Sequence, residues 1–127
     1  MRLLIDSHVM LWLLYEPERL SRSVRSAIEK ADEVSVSLVS LWELAIKYGK
    51  GRLVYSPGQL TMGIGEAGFT ELPVAHRHIL KLPFVSLAHR DPFDMMLVAQ
   101  AMSENLTLVT ADRALLASEY PTLDARR

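Results

Sequence analysis

The stretch His89–Ala101, HRDPFDMMLVAQA, joins a polar turn to an apolar segment rich in good helix formers. Asp91 is well placed as an N-cap, and Pro92 suits the first helical position, where its missing N–H costs little. We therefore expect a helix over Pro92–Glu104. Asp94 stands at the edge of this buried helix, so its carboxylate must be capped, paired or bound to something. It either completes a capping box with Asp91 or belongs to a site.

Outward from this helix, strand-like and helix-like segments alternate along the whole chain. Strands are predicted at Arg2–Ile5, Glu33–Ser37, Phe69–Leu72 and Thr107–Val109, with a last edge strand at Thr122–Leu123. The other predicted helices are Ser7–Tyr15, Ser21–Ala31, Val39–Tyr48, Pro57–Ala67, Ala75–Leu82 and Ala111–Ser118. Such alternation implies parallel pairing through right-handed crossovers. We expect one α/β domain over residues 1–127, with helices on both faces of a sheet.

Composition excludes several classes of protein and site. The net charge is −1, so no overall basic field favours nucleic acid. The absence of cysteine excludes disulfides and thiolate zinc sites, and no histidine falls in a HExxH pattern. Asp6 interrupts the N-terminal apolar run as no signal peptide would, and Val9–Tyr15 is too short to span a bilayer. A reducing cytoplasm fits these features.

Four acids follow strands or lie early in the helices after them: Asp6, Glu43, Asp94 and Asp112. In a parallel α/β fold they should face one edge of the sheet, where ligands bind. Helix N-termini favour acids in any case, so Asp6 and Asp112 are also plausible as caps. Glu43 is harder to explain in this way, because its neighbours on the helical face, Val39 and Ile46, are apolar.

Carboxylates held together repel one another, and a divalent cation removes that conflict. Mg²⁺ and Mn²⁺ prefer oxygen ligands, and carboxylates from separate elements suit them. A cation held in this way can orient a phosphodiester, activate water and stabilise the leaving oxygen. The acids therefore suggest metal-assisted phosphodiester chemistry.

The segments LLIDSHVMLWLL, SLWELAIKYGKGRL, LPFVSLAHRDPFDMMLVAQA and LTLVTADRALL together resemble the PIN-domain family, most of all the VapC-type toxins of bacterial toxin–antitoxin pairs. The resemblance runs in order over nearly the whole chain. It implies a three-layer α/β/α sandwich around a parallel sheet, and RNA cleavage that depends on Mg²⁺ or Mn²⁺. It also implies a cognate antitoxin. A homodimer is expected from the resemblance and from apolar surface that Val9–Tyr15 and Val24–Ala31 would leave uncovered on a small domain.

The resemblance carries the acidic, metal-binding site of the family onto the same four acids, Asp6, Glu43, Asp94 and Asp112. Supporting roles would fall to Asp91, as a helix cap or as a residue behind the metal ligands, to Thr110 beside Asp112, and to Ser7, which stands where the family more often has threonine. Met95 departs from the pattern, because an arginine is expected there. That departure puts one basic contact in doubt and leaves the metal cluster intact.

Other residues have two interpretations each. One interpretation of His89 and Arg90 is contact with phosphate, and the other is a solvated loop. One interpretation of the basic residues Lys47, Lys50 and Arg52 is guidance of RNA to the site, and the other is the ordinary preference of helix C-termini for positive charge. Trp12 and Trp42, with apolar neighbours, are expected in the core or an interface. Two rival functions also stand: a non-catalytic binding module, and an aspartyl-phosphate phosphotransfer domain. The second is disfavoured because Asp6-Ser7-His8 lacks a second aspartate and no lysine closely follows LTLVT.

Overall fold

Five parallel strands form one sheet in the computed structural model, which describes residues 1–127. The strands are β1 (Arg2–Ile5), β2 (Glu33–Ser37), β3 (Thr70–Leu72), β4 (Thr107–Thr110) and β5 (Thr122–Asp124). Their spatial order is β3-β2-β1-β4-β5. Ile5 pairs with Val36 on one side and with Val109 on the other, so β1 is the central strand. The predicted parallel sheet is confirmed.

Seven helices cover the two faces of this sheet. They are α1 (Ser7–Tyr15), α2 (Arg22–Lys30), α3 (Leu38–Gly49), α4 (Pro57–Ala67), α5 (His76–Lys81), α6 (Pro92–Glu104) and α7 (Arg113–Leu116). One core packs α1, α2 and α4 against Leu3 and Ile5, and the other packs α6 against Leu4 and Leu108. Each of these fully buried side chains contributes about 1.5–3 kcal/mol. The three-layer α/β/α sandwich is thus confirmed, and none of its helices has the length and hydropathy needed to cross a membrane.

Local chemistry fixes the helix that carries Asp94. The Asp91 carboxylate accepts hydrogen bonds from the backbone N–H groups of Phe93 and Asp94, at 2.9 and 3.1 Å. The helix ends at Asn105, whose φ of 57° is the left-handed conformation that commonly closes helices. Asp91 at the start and Asn105 at the end therefore set the bounds of α6.

The starts of two predicted elements were wrong for a reason that the hydrogen bonds show, and several other bounds were wrong by one or two residues. Strand β3 begins at Thr70 because the backbone N–H of Phe69 still donates to Ile64 O, at 3.2 Å, and closes α4. Helix α7 covers only Arg113–Leu116, because the Asp112 side chain caps it from outside. In both cases a residue, Phe69 or Asp112, forms a hydrogen bond at the end of a helix and so lies outside the element predicted to contain it.

The apolar surface from which we predicted a homodimer is smaller than expected. Met10, Trp12, Val24 and Ile28 are buried within the protomer, against the first core. The large apolar side chains that do reach solvent include Trp42, Val54, Met62, Leu80 and Phe84. The homodimer stays a prediction, and its reason is reduced to the apolar side chains of Val9–Tyr15 that remain partly exposed, such as Leu13 and Leu14.

Candidate metal centre at the carboxyl edge of the sheet

Asp6 lies at the point where the chain changes direction across the sheet. It follows β1, whose neighbours are β2 and β4, and crevices at such reversals are the usual ligand sites of open α/β sheets. The carboxylate is buried and accepts from Val9 N at 2.9 Å and from Thr110 Oγ1 at 2.5 Å. Burial raises the pKa of Asp6, and the bond from Thr110 opposes that rise. Asp6 is therefore a cap of α1 and also part of a larger cluster.

Thr110 joins two of the predicted acids. Its hydroxyl donates to Asp6 Oδ2 and accepts from the backbone N–H of Asp112, at 3.0 Å. The Asp112 carboxylate is 43% exposed, and its Oδ1 accepts from Ala114 N and Leu115 N. The negative charge of Asp112 also contributes to the raised pKa of Asp6. The supporting role predicted for Thr110 is consistent with this placement.

Replacing Thr110 with valine should lower the free energy of unfolding by about 1–3 kcal/mol, because a buried carboxylate would lose its hydroxyl donor. Thr110→Ser retains the donor and should remain closer to wild type. Urea unfolding at neutral pH measures both. If the valine and serine variants were equally stable, the Thr110–Asp6 bond would contribute little.

Asp94 faces a histidine instead of completing a capping box. Its Oδ2 lies 3.3 Å from His89 Nε2, which is also 3.8 Å from Asp112 Oδ1. The backbone N–H of Asp91, which a capping box would direct to Asp94, donates to His89 Nδ1 at 3.3 Å. Since Nδ1 accepts, the Nε2 that faces the two carboxylates carries the proton. The capping-box interpretation of Asp94 is wrong.

The electrostatic surroundings of Asp94 are unfavourable to its charge. Burial raises its pKa to about 7, and the charges of Asp91, Asp112 and Glu43 add to that rise, while His89 opposes it. A carboxyl group that titrates near neutrality among other carboxylates is typical of a functional position. Asp112 lies across His89 from Asp94, and Glu43 is near enough for its charge to contribute to the rise.

Glu43 reaches the cluster from α3, the helix after β2. Its Oε1 accepts from Ser7 Oγ at 3.1 Å, and its Oε2 lies 3.8 Å from Lys47 Nζ. Ser7 directly follows Asp6, so its bond to Glu43 holds the two acids near each other, as a supporting residue would. The face of α3 that carries Glu43 is less buried than expected, since Ile46 on that face is partly exposed. The apolar neighbours of Glu43 are consequently a weaker argument for function than its link to Ser7.

The donor set suits a divalent cation. One ligand atom each from His89, Asp94 and Asp112 can be chosen so that all lie within 4.8 Å of one another. Carboxylate oxygens are the ligands that Mg²⁺ and Mn²⁺ prefer, and a cation would relieve the repulsion that raises the pKa of Asp94. Asp6 is connected to this trio by the hydrogen bonds of Thr110. Glu43 acts on the trio through its negative charge, which contributes to the raised pKa of Asp94. His89 faces the acids with the nitrogen that carries its proton, so it would bind the cation only after losing that proton. The ligands expected from the sequence did not include His89.

The remaining sequence candidates fall into different places. Trp12 is buried, as predicted, whereas Trp42 is 61% exposed and meets Phe93 edge to face at 5.2 Å. Met95 packs against the second core and offers no positive charge.

A cleft of about 200 Å³ beside the acids is lined by Asp6, His8, Trp12, Ala111, Asp112 and Arg126. Arg126 at this cleft was not foreseen.

Comparisons with known proteins agree with this architecture. The solved structures similar to this chain include VapBC2 of Rickettsia felis bound to a promoter DNA fragment, with a TM-score of 0.65 and 13% identity, covering 98% of this chain and 100% of that one. FitAcB of Neisseria gonorrhoeae has a TM-score of 0.66 and 20% identity, covering 98% of each chain. VapBC-5 of Mycobacterium tuberculosis has a TM-score of 0.61 and 18% identity, covering 99% and 98%. At these identities the likeness establishes the fold.

Sequence comparison is more specific. The chain is 34% identical over 124 residues to Ribonuclease VapC22 of Mycobacterium tuberculosis (strain ATCC 25618 / H37Rv), covering 93% of this chain and 92% of that protein. The family model of the PIN domain matches residues 3–118. The family-model match begins within β1, extends past α7 and includes all four acids. The chain belongs to the PIN domain family.

Proposed function

We propose that this protein is a VapC-type ribonuclease toxin that cleaves RNA phosphodiester bonds with Mg²⁺ or Mn²⁺ and is held inactive by a cognate antitoxin. The observation that supports this most directly is the grouping of acids at the edge where α/β folds bind ligands: Asp94 and Asp112 lie 3.3 and 3.8 Å from His89 Nε2, and Thr110 joins Asp6 to Asp112. Burial and the neighbouring charges raise the pKa of Asp94 to about 7, as is common at functional sites. Similarity to a ribonuclease over nearly the full chain agrees with it. We place its action in the cytoplasm, with its RNA.

Within this proposal, Asp6, Glu43, Asp94 and Asp112 hold the cation, directly or through water. The bound cation supplies charge stabilisation for the phosphodiester and lowers the pKa of the attacking water. Thr110 and Ser7 orient two of the acids by hydrogen bonds, and Asp91 fixes the start of α6. Oriented carboxylates reduce the reorganisation needed when charge develops on the phosphate.

The proposal is tested by incubating the purified protein with single-stranded and structured RNA, with Mn²⁺, with Mg²⁺ and with chelator. We expect cleavage with metal and none with chelator. The Glu43→Gln variant, purified in parallel, excludes a contaminating nuclease. Binding without cleavage under every metal condition would instead favour the non-catalytic module.

An apolar recess beside the acids supports the antitoxin part of the proposal. It measures about 330 Å³ and is lined by Val39, Trp42, Val74, Leu82, Pro92, Phe93 and Met96. An apolar antitoxin segment seated there could extend a basic side chain to the acids. Co-expression with the product of the neighbouring gene should restore growth and yield a stable complex. Failure of both with the true neighbour would argue against this mode of inhibition.

We also propose a homodimer, because Leu13, Leu14 and Met62 line one open recess on the surface that a second copy would cover. Static light scattering at high micromolar concentration distinguishes a dimer from a monomer. A monomer under those conditions, without antitoxin, would contradict the proposal.

A further inference from the structure

The C-terminal residues are fixed beside the acid cluster by buried backbone bonds. Ala125, just after β5, is fully buried and donates its N–H to Thr110 O at 2.8 Å. Its own carbonyl accepts from Ser21 N at 3.1 Å. Thr110 is the residue whose side chain donates to Asp6. Whatever follows Ala125 is therefore held at the same edge of the sheet as the acids.

Arg126 is the residue that follows, and its charge is available. Its backbone N–H donates to Asp124 Oδ1 at 2.9 Å, and its side chain lines the cleft that Asp6 and Asp112 also line. No carboxylate pairs with the Arg126 guanidinium, whereas that of Arg127 lies 3.6 Å from Asp124 Oδ2. An arginine beside a carboxylate cluster but without an ion pair has unused donors.

Trp12 orients this guanidinium. The Arg126 Cζ lies 5.2 Å from the centroid of the Trp12 ring, within the range of a cation–π contact. Arg19 approaches the same ring at 4.8 Å, and its charge is shared with Glu16 at 3.6 Å. Of these two arginines only Arg126 lines the cleft, so it alone adds a positive charge beside Asp6 and Asp112. An arginine next to acids that could hold a cation suits a ligand with several negative charges, one of which would contact the cation and another the arginine.

We propose that Arg126 is a positioning residue that binds a phosphate of the RNA strand next to the one cleaved at the acid cluster, with Trp12 holding its guanidinium in place. This inference rests on the proposed ribonuclease function and deepens it. A planar guanidinium binds phosphate through two parallel hydrogen bonds. Arg126 would thereby supply a basic contact near the acids that Met95, packed in the core, does not supply.

The test compares Arg126→Gln with Arg127→Gln, a neighbouring arginine that points to Asp124 and serves as the matched control. Both are made in the Glu43→Gln background so that a fluorescent single-stranded RNA oligonucleotide stays intact. Binding is measured by anisotropy at several salt concentrations. We expect Arg126→Gln to weaken binding about tenfold and to reduce the salt slope by about 0.7, as the loss of one phosphate contact predicts. Arg127→Gln should bind as the background protein does.

Kinetics in the cleavage-competent protein complete the test. Arg126→Gln should raise KM more than it lowers kcat, and Arg126→Lys, which retains the charge but not the two-pronged contact, should recover part of the loss. Equal RNA affinity and equal KM for the Arg126→Gln and Arg127→Gln variants would overturn the inference while leaving the ribonuclease in place. A wild-type protein that cleaves no RNA with either metal would overturn the proposed function and this inference with it.

Discussion

Replacing Glu43 with glutamine is expected to lower RNA cleavage by about a hundredfold or more, because the amide keeps the shape and loses the charge of a cation ligand. A bound metal stabilises the transition state by several kcal/mol, and each 1.4 kcal/mol is about tenfold in rate. The fold should survive, since an amide oxygen can still accept from Ser7 Oγ. Initial rates on a quenched fluorescent RNA measure the effect.

The matched control for this change is Glu29→Gln, which removes one carboxylate from the exposed end of α2. It should cleave RNA at the wild-type rate. Circular dichroism and thermal melts of both variants exclude unfolding as the cause. If Glu43→Gln cleaved RNA as fast as Glu29→Gln, the role of Glu43 would be structural, through Ser7 and Lys47 alone.

The metal-free Asp94→Asn variant should be at least as stable as wild type at pH 8. Ionised Asp94 is unfavourable in the folded protein, because burial and the nearby carboxylates raise its pKa to about 7, and asparagine removes that charge. The folding free energy lost when Asp94 ionises is on the order of a few kcal/mol. Helix α6 keeps its cap, since that role belongs to Asp91.

The pH dependence has a definite sign. A carboxyl group with a raised folded pKa contributes stability that is fully present below its unfolded pKa, which is about 4, and is lost as pH rises through about 7. The advantage of metal-free Asp94→Asn over wild type should therefore grow between those two values and level off above them. Urea midpoints with chelator across that range measure it. A constant difference would contradict the raised pKa of Asp94.

Added metal should reverse the order of the two proteins. A ligand that binds only the folded state stabilises it by RT ln(1 + [L]/Kd), about 2.7 kcal/mol at a hundredfold excess over Kd. Wild type should show this gain with millimolar Mn²⁺ or Mg²⁺, and Asp94→Asn should lose most of it together with cleavage. Equal metal-induced shifts in melting temperature would exclude Asp94 as a ligand.

The fold could be predicted closely because its signals are local. Arg2–Ile5, Glu33–Ser37 and Pro92–Glu104 have the predicted bounds, since apolar patterning and caps act within a few residues. Errors occurred at Phe69 and around α7, where a bond to a helix end decides the boundary. Parallel strands then bring the residues after them to one edge, which is why the region of the acids could be predicted.

The details of the site depend on tertiary contacts that no local pattern encodes. His89 joins Asp94 and Asp112 because the loop before α6 folds back over that edge, and the resulting bond to Asp91 replaces the capping box. Arg126 reaches the cleft only because β5 pairs with β4. A three-residue edge strand gives a weak sequence signal, so its consequences could not be foreseen.

The bond between Asp6 and Thr110 spans 104 positions of the chain. Closing so long a loop is slow relative to local helix formation, and β1 has only one partner strand until β4 pairs with it. During translation, a ribosome-bound chain that has not yet exposed β4 holds Asp6 without its hydroxyl donor and without Asp112. The acid cluster of the nascent protein is therefore incomplete until β4 has left the ribosome, so the site forms later than the helices that surround Asp6.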